Sequence, residues 1–124
     1  MDVTPLVPTG FQLINGYGDG GFTIAGIRHE GSVLVMPRAT VAWPLALPAE
    51  ADAQALLTAL ADEPRPMVLL LGCGKGMLPV PRPLRDALKG AGIVPEPMDT
   101  GAACRTFNVM LTEGRDVAAV LVAV

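Results

Sequence analysis

The sequence predicts an α/β fold, and three observations carry the prediction. Residues 11–43 are short apolar runs cut by glycine, whereas residues 49–122 alternate between helical and extended patterns. Two runs, 67–71 and 117–122, are continuously apolar at strand length, the mark of strands covered on both faces. Strand–helix–strand–helix–strand order then implies a largely parallel sheet with helices packed against it.

Residues 1–10, with Pro5, Pro8 and Gly10, read as an irregular tail ahead of a single domain over 11–124. Residues 11–14 alternate weakly. Gly18, Asp19, Gly20 and Gly21 make a turn, after which 22–24 resume extended character. Residues 27–30 lead into Glu30-Gly31-Ser32, a hairpin signal, and 32–36 form the next strand. Residues 40–43 are a further short strand closed by Pro44, so this half reads as a β meander.

In the second half, residues 49–60 place Ala53, Leu56, Leu57 and Leu60 at helical spacing. Glu50 and Asp52 stand in the first turn, where the helix dipole favours acids. After the strand at 67–71, residues 83–89 fit a short helix, with proline near its first turn and Gly90 past its end. Residues 93–98 are extended, held so by Pro95 and Pro97. Thr100 is the expected N-cap of a helix over 101–113 that stops at Gly114, and 117–122 follow as a buried strand beside 67–71.

At 124 residues the chain can bury roughly two-thirds of its unfolded surface, enough for a core without staples. It is 51% hydrophobic and 17% charged, too apolar for a disordered segment, and with 4% aromatic residues its core must be aliphatic. The net charge is −3, from nine basic and twelve acidic residues with no basic cluster, which argues against nucleic acid or an anionic membrane as partner. Cys73 and Cys104 form no CxxC pair and read as reduced thiols acting as small hydrophobes. The first residues carry no signal-peptide pattern, and the longest apolar stretch, 117–124, is far short of a membrane span. The expectation is a soluble, cytoplasmic protein without a transmembrane segment.

The run Leu71-Gly72-Cys73-Gly74-Lys75-Gly76 looks like the first motif of methyltransferases, where a glycine-rich turn after a buried strand approaches its ligand. Against that, Leu70 stands where those motifs place an acid, and Pro79, Pro81 and Pro83 delay the helix that should follow at once. The favoured reading is a tight strand-end turn, with a weaker role as an anion nest built from backbone N–H groups and Lys75. His29, beside a hairpin turn, has no Cys or acidic ligand cluster near it, so no metal site is expected. Trp43 reads as a core or edge-plugging residue whose indole N–H meets a backbone carbonyl.

The stretch 98–115 carries more chemistry than an ordinary core helix. Ala103, Cys104, Phe107, Met110 and Leu111 form one apolar face, with Arg105, Asn108 and Thr112 opposite. One reading makes those polar residues a solvated face. The other aims Arg105, a planar fork for an anion, and Asn108, which donates and accepts, into a groove. Asp99 complements the positive helix end. Glu113 and Arg115 flank Gly114 and read as a structural clamp, with each other or with Arg105.

Taken together, several motifs are similar to those of the Mth938-like domain family, of otherwise unassigned function. They are Tyr17, Gly21-Phe22, Ile24, Gly26, Gly31-Ser32, Val35, Pro37 and Trp43, then Leu71-Gly72-Cys73-Gly74, Met98-Asp99-Thr100, and the run from Ala103 through Asn108 to Glu113-Gly114-Arg115. The resemblance covers nearly all of the chain from Phe11 onward. It implies a three-layer α/β fold, a central mixed sheet with helices on one face and a β-hairpin region plus a further helix on the other. It also implies a protein without established enzyme activity, in a family that includes a mitochondrial complex I assembly factor and an adipogenesis-associated protein. It supplies no catalytic residue, cofactor or metal. The leading expectation is therefore a non-catalytic assembly or interaction factor with a protein partner, for a membrane respiratory complex, and a homo-oligomer is compatible with it. The alternative is a small-ligand-binding protein or enzyme. Its anion pocket would be formed by Gly72, Gly74 and Lys75 of the 72–76 turn, Asp99, Thr100, Arg105 and Asn108.

Overall fold

The structure, a computed structural model, describes residues 10–43 and 53–124. Along them run β1 (Ile14–Gly18), β2 (Gly21–Ile24), β3 (Ile27–Glu30), β4 (Val33–Met36), β5 (Ala39–Ala42), α1 (Ala53–Ala59), β6 (Val68–Gly72), α2 (Arg82–Gly90), β7 (Val94–Met98), α3 (Thr100–Thr112) and β8 (Val117–Leu121). The expected tail at 1–9, and Pro44, Glu50 and Asp52, lie outside the described residues.

Strands β1, β2 and β3 form an antiparallel sheet, while β5-β4-β8-β6-β7 form a second, five-stranded one. The buried runs stand side by side as expected, β6 parallel to β8 with Leu69 opposite Ala118, and both Leu69 (0% exposed) and Val120 (4%) are buried. The strands read from element order, β6, β7 and β8, pair parallel as expected, and the sheet as a whole is mixed as the resemblance implied. β4 pairs antiparallel with both β5 and β8, so the sheet is mixed. The early strands do not remain one meander because β4 and β5 leave β1–β3 and join the larger sheet.

Period-two alternation sends successive side chains of the mixed sheet to opposite faces. Leu70, Val117, Ala119 and Leu121 pack with Phe22 and Ile24 of the small sheet and with Ala103, Cys104, Phe107 and Leu111 of α3. Leu69, Leu71, Ala118 and Val120 pack with Leu56 of α1 and with Leu84 and Leu88 of α2. Two helices therefore cover one face, and α3 with the small sheet covers the other. The apolar stripe expected on α3 is buried in full.

Both long helices end on a glycine that adopts a left-handed conformation. Gly114 (φ 75) donates to Leu111 O while Arg115 N–H reaches Met110 O. In the same way Gly92 (φ 79) donates to Lys89 O while Ile93 N–H reaches Leu88 O. These paired bonds satisfy the last helical carbonyls, and glycine supplies the required φ without steric cost. Gly90 therefore lies within α2 rather than past its end, and Gly92 is the stop. At the edge, Val94 N–H donates to Met67 O and Met98 C=O accepts from Cys73 N–H, so those residues face β6. The intervening Pro95 and Pro97 turn their main chain outward, leaving the free edge of β7 with carbonyls and no N–H donors.

Candidate functional site

The residues singled out in the sequence gather mainly where β6 ends and α3 begins. Asp99, extended at φ −65 and ψ 159, is the N-cap of α3, and its Oδ1 accepts from Ala102 N–H at 2.8 Å. The expected cap, Thr100, is instead the first helical residue. It is a fully buried polar side chain, and its hydroxyl is used across the fold. Gly74 N–H donates to Thr100 Oγ1 at 2.9 Å, and that hydroxyl donates to Val122 O at 2.8 Å. Main-chain bonds from Thr100 N–H to Gly74 O and from Val122 N–H to Gly72 O, at 2.8 and 2.9 Å, complete the knot.

Two glycines of the turn, Gly72 and Gly74, have separate causes. A Cβ on Gly72 would stand 2.9 Å from Leu121 Cδ2 and 3.2 Å from Thr100 Cα, so the first turn of α3 packs directly on that backbone. Gly74 has φ 89, a left-handed conformation. Two N–H groups of the turn are engaged within the protein, Cys73 N–H with Met98 O and Gly74 N–H with Thr100 Oγ1. Lys75 is exposed beside them.

Along α3 the polar residues divide. Asn108 turns inward to β1, where its Oδ1 accepts from Ile14 N–H and its Nδ2 donates to Ile14 O, both at 2.8 Å. Arg105 is exposed and forms no ion pair among the described residues. Val109 (56% exposed) lies one turn further along the same face. Tyr17 stands over the start of the helix, its hydroxyl 2.5 Å from where a Cβ on Gly101 would be. Glu113 and Arg115 approach each other at 3.7 Å across the Gly114 turn, both solvent-exposed, and Arg105 takes no part. An exposed pair of that length adds little stability.

Cys104 lies in the core between α3 and the sheet, 3% exposed. Burial pushes its thiol from the ordinary 9.0 up to about 12, with Arg105 opposing and Asp99 reinforcing the shift. Cys73 is also a buried free thiol, its Sγ 3.3 Å from Leu71 O. Cys104 therefore sits in a setting that suppresses the reactive thiolate. Among the described residues no three His, Cys, Asp or Glu side chains are placed to hold a metal ion. The Trp43 indole N–H, expected on a backbone carbonyl, is buried without a hydrogen-bond partner among the described residues.

A cavity of about 410 Å³ opens at the other end of the strands, where Pro66, Asp116 and Val117 precede or begin β6 and β8. None of the ligand candidates lines it, and of the residues proposed as a clamp only Arg115 does. It draws on connecting segments that carry no motif. The one sequence signal pointing to it is Asp62-Glu63 between α1 and Pro64.

The family described as a protein of unknown function (DUF498/DUF598) matches residues 14–122. An uncharacterised protein of Rhodobacter capsulatus is 40% identical over 108 residues, covering 87% of this chain and 82% of that protein. The mouse NADH dehydrogenase (ubiquinone) 1 alpha subcomplex assembly factor 3 is 30% identical over 109 residues, covering 88% of this chain. The chain spans 59% of that assembly factor's length. Among solved structures, a Mth938-like domain from Bordetella pertussis superposes with a TM-score of 0.80 at 29% identity, covering 98% of this chain and 92% of that one.

Proposed function

Because this chain belongs to the DUF498/DUF598 family of Mth938-like domains, we propose that it is a non-catalytic assembly or interaction factor, with a membrane respiratory complex as its target. One observation carries the reading. Three of the ligand candidates of the 98–115 stretch are spent on the protein's own main chain, Asp99 on Ala102, Thr100 on Gly74 and Val122, Asn108 on Ile14. On the outward face of α3, Arg105 stands beside exposed Val109, with the exposed Tyr17 of β1 over the helix start, a composition suited to protein contact. The likeness to the mouse assembly factor spans this same domain.

The anion-pocket alternative has less support. The N–H groups of Cys73 and Gly74 and both arms of Asn108 already have partners, so Arg105 and Lys75 would act without those groups. The test is affinity purification of the tagged chain from its native cells after mild cross-linking, read by mass spectrometry beside Arg105→Glu. The expected result is a specific set of proteins, including subunits of a membrane-bound complex, that the variant loses. Recovery of no specific protein, together with a tightly retained metabolite, would overturn the reading.

A further inference from the structure

The cavity at the foot of the mixed sheet has a definite origin. The β4–β8 ladder ends at Val35 and Ala119, and β4 then turns away through Met36 and Pro37 towards β5. The gap is walled by Phe11, Met36, Leu60, Leu111 and Val117, which come from separate segments of the chain. Leu111 and Val117 belong to the core on one face of the sheet and Leu60 to the core on the other, so the apolar floor is fixed by both. Its volume, about 410 Å³, falls within the roughly 300–1,000 Å³ of small-molecule sites.

The charges at the mouth are unequal in what they leave free. Asp62, Glu63 and Asp116 line it; none of the three forms an ion pair among the described residues, and Glu63 Oε2 accepts from Arg65 N–H at 3.4 Å. Two arginines share the mouth, Arg38 over the Phe11 ring at 4.8 Å and Arg115 towards Glu113 at 3.7 Å, so the three carboxylates outnumber the guanidinium groups. An apolar floor beneath a rim of net negative charge complements an apolar body that bears one positive charge. We propose that this cavity binds a small amphipathic cation, an aliphatic or aromatic body carrying an ammonium or guanidinium group. Walls converging from separate segments enclose a compact object rather than track an extended peptide, which favours a small ligand over a partner's strand. This site is independent of the outward face of α3, so either can fail without the other.

The test is an amide NMR titration of the full chain with octylammonium, octanoate and octanol in parallel. Octylammonium should shift the amides of Arg38, Ala39, Asp62, Glu63 and Val117 saturably and bind about tenfold more tightly than octanoate. Added salt should narrow that preference. The triple variant Asp62→Asn, Glu63→Gln, Asp116→Asn should abolish the preference for the cation. Ala39→Phe, which fills the mouth from an exposed strand position, should weaken all three probes. Equal binding of octylammonium and octanoate, or shifts scattered away from the cavity, would overturn the proposal. So would shifts at the mouth from a basic tetrapeptide of lysine, leucine and phenylalanine with none from octylammonium, which would make it a protein-docking groove.

Discussion

The Asn108 carboxamide holds the main chain of Ile14 by both arms, accepting its N–H and donating to its C=O at 2.8 Å each. A side chain on α3 thus does for β1 what a neighbouring strand would do. Asn108→Ala leaves a donor and an acceptor half-buried without partners and should cost about 2–3 kcal/mol in urea denaturation. Asn108→Asp keeps the acceptor but sets a carboxylate against the Ile14 carbonyl, and should be at least as damaging. A wild-type midpoint for either variant would show that the contact is dispensable.

Gly72 and Gly76 should respond differently to the same substitution. A Cβ at Gly72 meets Leu121, Thr100 and Ala103 within 3.3 Å, whereas at Gly76 it meets nothing within 4 Å. Gly72→Ala should therefore lose about 1–3 kcal/mol through overpacking, and Gly76→Ala should melt close to wild type. Equal melting of the two would sever the link between this motif and the packing of α3.

The two thiols provide a test that includes a pH window. Both should resist a thiol reagent in the native protein and both should react once it is unfolded, since both are buried and free. Burial raises the Cys104 pKa from 9.0 to about 12. Between those values the unfolded chain has released a proton that the folded chain retains, so stability falls as pH rises from about 9 to 12. Cys104→Ala should remove that part of the alkaline loss. An unchanged alkaline profile in the variant would assign the loss to other groups.

Arg105 distinguishes surface function from structure. With no ion pair among the described residues and an exposed side chain, Arg105→Ala should change stability by no more than about 0.5 kcal/mol. The same variant should release the bound partners. A large fall in melting temperature would mean that the guanidinium braces the fold, and retention of every partner would remove it from the interface.

The element pattern was legible because two-faced apolar runs and an amphipathic stripe admit few arrangements. Residues 68–71, 117–121 and 103–111 read directly as β6, β8 and the buried face of α3, although Met67 stands exposed ahead of β6 and Gly72 extends it. Local choices between similar residues were less so. Asp99 and Thr100 are both good caps, and what decides between them is a bond from Thr100 to Val122, distant in sequence. The partition of the early strands between two sheets depends on the pairing of β4 with β8, which no local pattern records. The cavity left the faintest trace, because it arises where two strands part and borrows its walls from segments that individually read as turns.

The outward prolines of β7 have a consequence for how molecules of this protein meet in crowded solution. A strand arriving from another copy would find acceptors at Pro95 and Pro97 and nothing to accept its own carbonyls. The reciprocal ladder through which fibrils recruit the next monomer therefore cannot be seeded from that side. The larger sheet is thereby polymer-terminated on one flank by covalent chemistry, a protection that dilution, salt and temperature leave intact.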